Sequence, residues 1–323
     1  MKYRALGRTG IAVSEIGFGA WGIGGRTVGQ TSYGDTDDAT SLAALERALD
    51  RGITFFDTSS AYGNGHSEEL IGRAFASSRQ RVVIATKAGY EAWGRPPDFS
   101  AAAIVTSAES SLARLRTDYI DLFQLHNAPR DALQADDVRE ALSRLQKVGK
   151  IRAWGVSAKS PTEAAEALAL AAPVVQANFN MMDLRAIDGG LLDQAARKQA
   201  GFIGRTPLCF GFLAGTIGHD TVFPPGDHRL GWSRAQLDNW IDGARELLAA
   251  VSATPGPAGV QSALRFCLAF SGVSSVIPGL MTPREVDESA LAGDLGPLPE
   301  VAVAAVLEIN RRRQFFVAQA RAS

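Results

Sequence analysis

Tyr119-Ile-Asp-Leu-Phe-Gln-Leu-His126 opens a unit that recurs along the whole chain. The run is apolar, short and rich in β-formers, and reads as a buried strand. After it, Val138, Leu142, Leu145 and Val148 repeat at helical spacing over three turns, and Gly149 marks the stop. A second strand-like run, Arg152–Ser157, follows. Two strands joined by a helix lie parallel, because parallel neighbours need a crossover. Outward from this unit the same alternation holds. Further runs lie at Glu15–Ala20, Thr54–Thr58, Val82–Lys87, Val174–Phe179, Gly201–Pro207 and Ser274–Pro278. Leu42, Leu45 and Leu49 give another helical stripe. Eight such repeats in 323 residues predict an α/β fold, a closed (β/α)8 TIM barrel, as one domain over residues 1–323.

Several local features refine that expectation. Tyr3–Leu6 and Ile11–Val13 flank Gly7-Arg8-Thr9-Gly10 and read as a hairpin ahead of the barrel. Ser67 before Glu68 and Glu69 reads as a helix N-cap, and Gly201 as a helix stop. Gly211–Trp232 exceeds the repeat as a long loop, and Leu298–Ala318 as an extra C-terminal helix. Gly17-Phe-Gly-Ala-Trp-Gly22 matches G-x-G-x-x-G, but a dinucleotide fold needs a helix to open at the third glycine. Ile23, Gly24, Gly25 and Gly29 follow instead, and each glycine costs a helix about 1 kcal/mol relative to alanine. No tyrosine has a lysine four residues on, so a short-chain dehydrogenase site is also absent.

Composition narrows the function. Lys plus Arg is 33 and Asp plus Glu is 34, a net charge of −1. Nucleic-acid binding would need a basic face, so none is expected. No stretch reads as a membrane span of about 20 apolar residues, and the N-terminus lacks the apolar core of a signal peptide. Cys209 and Cys267 stand alone in apolar sequence, as reduced core residues of a cytoplasmic protein. His66, His126, His219 and His228 match no zinc spacing, so no metal is expected.

The reactive groups of such barrels come from the C-terminal ends of strands. Those ends carry Asp57, the loop residue Tyr62, Lys87 and His126. The set suits carbonyl reduction. Asp57 would hold Lys87 charged, and the ammonium would favour proton release from the Tyr62 phenol. His126 would orient the carbonyl while Tyr62 protonates the developing alkoxide.

On these residues the chain resembles the aldo-keto reductase family. The likeness runs from Leu6-Gly7-Arg8-Thr9-Gly10 and Gly17-Phe-Gly-Ala-Trp21 through Phe56-Asp57-Thr58, Ala61-Tyr62-Gly63, Ser67-Glu68 and Ala85-Thr86-Lys87. It continues over Tyr119 to His126 and Gly149-Lys-Ile-Arg-Ala-Trp-Gly155, and closes at Ile277-Pro278-Gly279. The resemblance implies a (β/α)8 barrel that reduces aldehydes and ketones with NADPH, and a catalytic tetrad at Asp57, Tyr62, Lys87 and His126. It implies cofactor contacts at Gly19, Ala20, Trp21, Asp57, Ser157 and Gln176. Arg205, Thr206, Pro207 and Leu208 occupy the nicotinamide flank. Gly211, Leu213 and Gly215 belong to the loop over the pyrophosphate. Gly279, Met281, Arg284, Glu288 and Ser289 stand at the adenine end.

This chain departs from the family there: Gly279 replaces a lysine, Glu285 takes an arginine position, and Arg284 lies one residue earlier. Ala158 and Ser289 also replace usual asparagines. NADPH is the expected cofactor, with NADH as its competitor. Trp21, Tyr62, Trp93 and His126 are the expected substrate contacts, with Phe56, Tyr90, Met181, Trp232 and Arg229 as further pocket candidates. His219, His228 and Arg229 could meet an anionic group. The expected partner is a small carbonyl compound; oligomeric state is not legible. Two other functions fit the sequence. One is a cofactor-binding regulatory subunit similar to potassium-channel β-subunits. The other is a barrel lyase or isomerase using Lys87 as a Schiff base.

Overall fold

A computed structural model describes residues 1–28 and 32–317. Two short strands, β1 (Tyr3–Ala5) and β2 (Ala12–Ser14), pair antiparallel as the expected hairpin. Eight parallel strands follow: β3 (Phe18–Gly19), β4 (Phe55–Asp57), β5 (Val83–Ala88), β6 (Ile120–His126), β7 (Ile151–Ser157), β8 (Val174–Asn178), β9 (Gly201–Arg205) and β10 (Ser275–Ile277). They neighbour one another in chain order. Parallel bridges from Ile16 to Val276 and from Gly19 to Gly279 bring the first beside the last and close the barrel. Each expected strand run overlaps one of these strands, though β5 runs on to Ala88 and β7 starts already at Ile151.

Helices pack outside: α1 (Asp38–Asp50), α2 (His66–Phe75), α3 (Ala101–Leu115), α4 (Arg130–Gln134), α5 (Asp136–Lys147) and α6 (Pro161–Ala169). Then come α7 (Arg185–Asp188), α8 (Leu191–Arg197), α9 (Arg234–Ala250), α10 (Val260–Leu268), α11 (Pro283–Leu295) and α12 (Glu300–Arg312). The last is the expected extra helix, shorter at both ends than Leu298–Ala318; Ala318 lies outside the described residues, as does Gly29. At Gly22–Gly24 there is one 3-10 turn, so the glycine motif opens no α-helix.

The barrel interior is layered by the two-residue period of a strand. Phe55, Ala85, Leu122, Ala153, Val174 and Ile203 form one buried cluster with Leu6, Ile11 and Val13 of the hairpin. The hairpin thus plugs one mouth of the barrel with apolar side chains. Two residues further along the same strands stand Asp57, Lys87, Gln124, Gly155, Gln176 and Arg205. One layer is oil, and the next is almost wholly polar.

Gly201 is not a helix stop. Helix α8 ends at Arg197, and Gly201 begins β9, where a Cβ would sit 2.8 Å from the Leu6 side chain. Ser67 is not an N-cap either. Gly65, in the left-handed conformation, precedes α2, and the Ser67 hydroxyl donates to the Ala20 carbonyl at 2.8 Å. Cys209 and Cys267 are buried free thiols, and burial pushes both pKa values up. Among the described residues no single helix is long and apolar enough to cross a membrane, and no group of three potential metal ligands occurs.

Candidate active site

Strand β4 delivers Asp57, and the chain then turns sharply to present Tyr62. Gly63 makes that turn with φ +62°, and a Cβ there would lie 2.1 Å from the Gly24 carbonyl oxygen. Only glycine allows this backbone-to-backbone approach, which seats Tyr62 against the loop after β3. Lys87, from β5, is fully buried. Its Nζ donates to Asp57 Oδ1 at 2.6 Å, to the Thr58 carbonyl at 2.7 Å and to the Tyr62 hydroxyl at 3.2 Å. All three ammonium hydrogens therefore have acceptors. Burial works against the charge, but Asp57 and Tyr62 outweigh it and hold the Lys87 pKa above its ordinary value. Asp57 Oδ2 accepts from Gln124 Nε2 at 3.0 Å and Gln176 Nε2 at 2.8 Å. The carboxylate is thereby fixed on both oxygens.

His126 ends β6, with its ring 6.1 Å from that of Tyr62. Burial, then the charges of Lys87 and Arg205, hold its pKa well below the ordinary histidine value. The imidazole is neutral near pH 7 and can act as a hydrogen-bond donor without titrating. The unfolded chain takes up this proton near pH 6.5, whereas the folded chain refuses it. Stability owed to His126 is thus complete above that pH and is lost as pH falls below it. Chemical denaturation from pH 7.5 to 5 should show this decline, and His126→Gln should flatten it; parallel curves would mean that the folded protein accommodates imidazolium.

A cavity of about 1140 Å3 opens beside these groups. Tyr62, His126, Trp21 and Trp93 line it together, as the sequence led one to expect. Gly19, Ala20, Asp57, Gln176 and Arg205 line it from the strand ends. Thr206, Pro207, Leu208 and Gly211 come from the segment after β9. Gly279, Met281, Arg284, Glu288 and Ser289 come from the segment after β10 and from α11. Arg205 Nε donates to Asn178 Oδ1 at 2.9 Å, and no carboxylate among the described residues lies within ion-pair distance of its guanidinium. Arg284 is 87% exposed, with Nε donating to Glu288 Oε1 at 2.9 Å. Glu285 is occupied in the capping box of α11 with Thr282.

Other expected residues stand elsewhere. Ser157 is buried behind the wall, donating to Gln176 Oε1 at 3.0 Å. Leu213 packs into the hydrophobic core, and Gly215 closes a turn at φ +79° beside Leu248. Phe56 and Met181 are core residues. Trp232 packs on Phe210 and Trp240, and Tyr90 stands behind Trp93 and His126. His219 lies outside the cavity wall, between Asp238 at 2.6 Å and Asp242 at 2.9 Å. Arg229 does line the cavity, but Asp227 holds it at 3.0 and 2.6 Å, which neutralises its charge. The sequence reading missed Gln124, although its place two residues before His126 puts both on one face of β6. It also missed Tyr33, which lines the cavity 5.1 Å from the Trp21 ring. Tyr33 reaches that place because Ser32 bridges Asp227 of the long loop, a docking that no local pattern encodes.

A buried Asp–Lys pair bonded to a tyrosine, beside a neutral histidine at the strand ends of a parallel barrel, describes the class of barrel oxidoreductases that act on carbonyls and alcohols. Residues 15–311 match the model of the aldo/keto reductase family, and the chain belongs to that family. The aldo-keto reductase YhdN of Bacillus subtilis (strain 168) is 32% identical over 297 residues, 89% of this chain and 87% of that one. A probable voltage-gated potassium channel subunit beta of Arabidopsis thaliana is 29% identical, over 92% of this chain and 93% of that one. Among solved structures, an aldo-keto reductase of Bacillus halodurans in its holo form superposes with a TM-score of 0.78 at 26% identity, covering 99% of both chains.

Proposed function

We propose that the protein reduces an aldehyde or ketone to an alcohol with NADPH, and that Tyr62 is the general acid. The observation that carries this reading is the Lys87 ammonium, bonded at once to Asp57 and to the Tyr62 hydroxyl. The residues present fit a nicotinamide dinucleotide. The cavity exceeds the usual few hundred to 1,000 Å3 of small-molecule sites. Arg205 offers it a guanidinium with no carboxylate within ion-pair distance among the described residues, and a Cβ on Gly279 would stand in ordinary contact with Tyr33, at 3.8 Å. Gly19, Ala20, Trp21, Asp57, Gln176, Arg205, Thr206, Pro207, Leu208 and Gly211 would hold its nicotinamide and phosphate portions. Gly279, Met281, Arg284, Glu288 and Ser289 would hold the adenosine portion.

When bound, the nucleotide would supply a hydride to the carbonyl carbon. Tyr62 gives its phenolic proton to the carbonyl oxygen, and Lys87 holds that hydroxyl in place throughout. His126 donates its ring N–H to the same oxygen and needs no protonation change. Trp21 and Trp93 form the apolar part of the substrate pocket. Fluorescence titration with NADPH and NADH, followed by turnover of a panel of carbonyl compounds, tests the proposal. Saturable NADPH binding with turnover supports it; tighter NADH binding overturns the cofactor assignment; no binding of either removes the reductase reading.

Arg284 is the residue assigned to the 2′-phosphate. Its pair with Glu288 is largely solvent-exposed and so weak, and a phosphate can displace the carboxylate. Arg284→Ala should weaken NADPH binding about tenfold and leave NADH nearly unchanged, the scale of one charge-assisted hydrogen bond. Equal losses for both nucleotides would move the phosphate contact elsewhere.

The channel-subunit relative motivates a second reading, a regulatory subunit that retains cofactor and turns over slowly. A co-purifying membrane partner and single-turnover behaviour would favour it. A Schiff-base lyase is disfavoured, because Lys87 has all three hydrogens engaged and a raised pKa, the opposite of an activated amine.

A further inference from the structure

Ser59 lies two residues beyond Asp57 and is fully buried. Its Oγ stands 3.3 Å from His126 Nδ1. The same oxygen accepts the Ala61 N–H at 3.2 Å. Among the described residues no other acceptor faces the Ser59 hydroxyl hydrogen. Two arrangements are possible at this contact. If Nδ1 carried the ring proton, it would donate to Oγ, which would then accept twice. The hydroxyl hydrogen would be left in a buried site with nothing to accept it, an arrangement that folded proteins avoid. If Oγ–H donates to Nδ1, the hydroxyl hydrogen and the Nδ1 lone pair satisfy each other, and Oγ still accepts from Ala61.

We infer that Ser59 is a positioning residue that locks His126 in the tautomer carrying its hydrogen on Nε2. The neutral ring has one hydrogen to offer. Tied back at Nδ1, that hydrogen belongs to Nε2, on a ring that lines the catalytic cavity. Ser59 touches neither carbonyl nor cofactor in this scheme. It acts through His126, as second partners of functional imidazoles generally do by setting which nitrogen holds the proton.

The inference rests on the reductase reading only where it predicts rates; the tautomer itself is measurable without turnover. Full-length protein labelled with 15N-histidine gives four imidazole patterns in long-range proton–nitrogen spectra, and His126→Gln identifies the one that belongs to His126. The expected wild-type pattern is an unprotonated Nδ1 and a protonated Nε2. In Ser59→Ala the His126 signals should move towards a mixture of tautomers. The kcat for carbonyl reduction should fall about tenfold, with the Kd for NADPH unchanged, on the scale of one neutral hydrogen bond. A protonated Nδ1 in the wild type overturns the inference, and this needs no variant. An unchanged tautomer in Ser59→Ala, in a variant whose circular dichroism matches wild type, also overturns it. A changed tautomer with unchanged turnover supports Ser59 as the lock and overturns the role of His126 in the reaction.

Discussion

Tyr62→Phe should lower kcat for carbonyl reduction by about 10^2 to 10^4-fold, the range spanned by a single positioned acid. The Kd for NADPH stays within about twofold, and stability barely changes. The reasoning starts from what the hydroxyl touches. Its recorded protein partner is Lys87 Nζ at 3.2 Å, the longest of the three lysine contacts. Removing it leaves Lys87 bonded to Asp57 at 2.6 Å and to the Thr58 carbonyl at 2.7 Å, so the ion pair survives. The ring keeps its place under the ammonium, 4.7 Å away, because Gly63 and not the hydroxyl sets the turn. The alkoxide developing in the transition state then has no proton source of its own. His126 cannot substitute as a cationic acid, since its pKa is held well below the ordinary value. Stopped-flow reduction with saturating NADPH would resolve the chemical step. A variant with near-wild-type kcat would take Tyr62 out of the acid role and shift it to solvent.

The barrel was legible because strands of a parallel sheet are buried on both faces. Such strands read as continuous apolar runs, and the eight runs each coincide with a barrel strand. Asp57, Lys87 and His126 were legible for a related reason: each is a charged or titratable residue at or one place before the end of such a run. Gln124 escaped because it sits inside its run, where a lone polar residue looks like an interruption. Its Nε2 in fact fixes one side of the Asp57 carboxylate. Ser67 misled in the opposite direction, since a serine before two glutamates has the local form of a cap. Here its hydroxyl serves a tertiary bond to Ala20, and glycine at position 65 makes the entry to the helix. Ser157 was placed in the cavity by resemblance, yet its hydroxyl is spent on Gln176. Tyr33 depends on two loops far apart in sequence meeting across the barrel mouth. Bridges such as Ser32 to Asp227 leave no trace in spacing or composition.

Asp57→Asn should be more damaging to stability than any other single change in the site. The Lys87 ammonium is fully buried; burial pulls its pKa down, and Asp57 and Tyr62 together outweigh that, with the larger charge effect from Asp57. Without that charge the cation must either remain unpaired or give up its proton. Breaking one side of a buried pair costs about 3–5 kcal/mol. For a chain of this size that corresponds to a fall in Tm of roughly 6–10 °C, taking about 2 °C per kcal/mol. The amide also turns Oδ2 or Oδ1 into a donor, which sets it against Gln124 Nε2, Gln176 Nε2 or Lys87 Nζ. Lys87→Met leaves the carboxylate with both glutamine donors, so its stability loss is the smaller of the two. The double variant removes both charges, and its loss should fall short of the sum of the single losses by about 1–3 kcal/mol. Carbonyl reduction should be abolished in the two variants without Lys87, which have no ammonium at the Tyr62 hydroxyl, and should fall in Asp57→Asn, where Lys87 loses the carboxylate that holds its charge. Denaturant unfolding of the four proteins measures the coupling. Additive losses would mean that Asp57 and Lys87 are not a coupled pair in solution, and the activation of Tyr62 would then need another source.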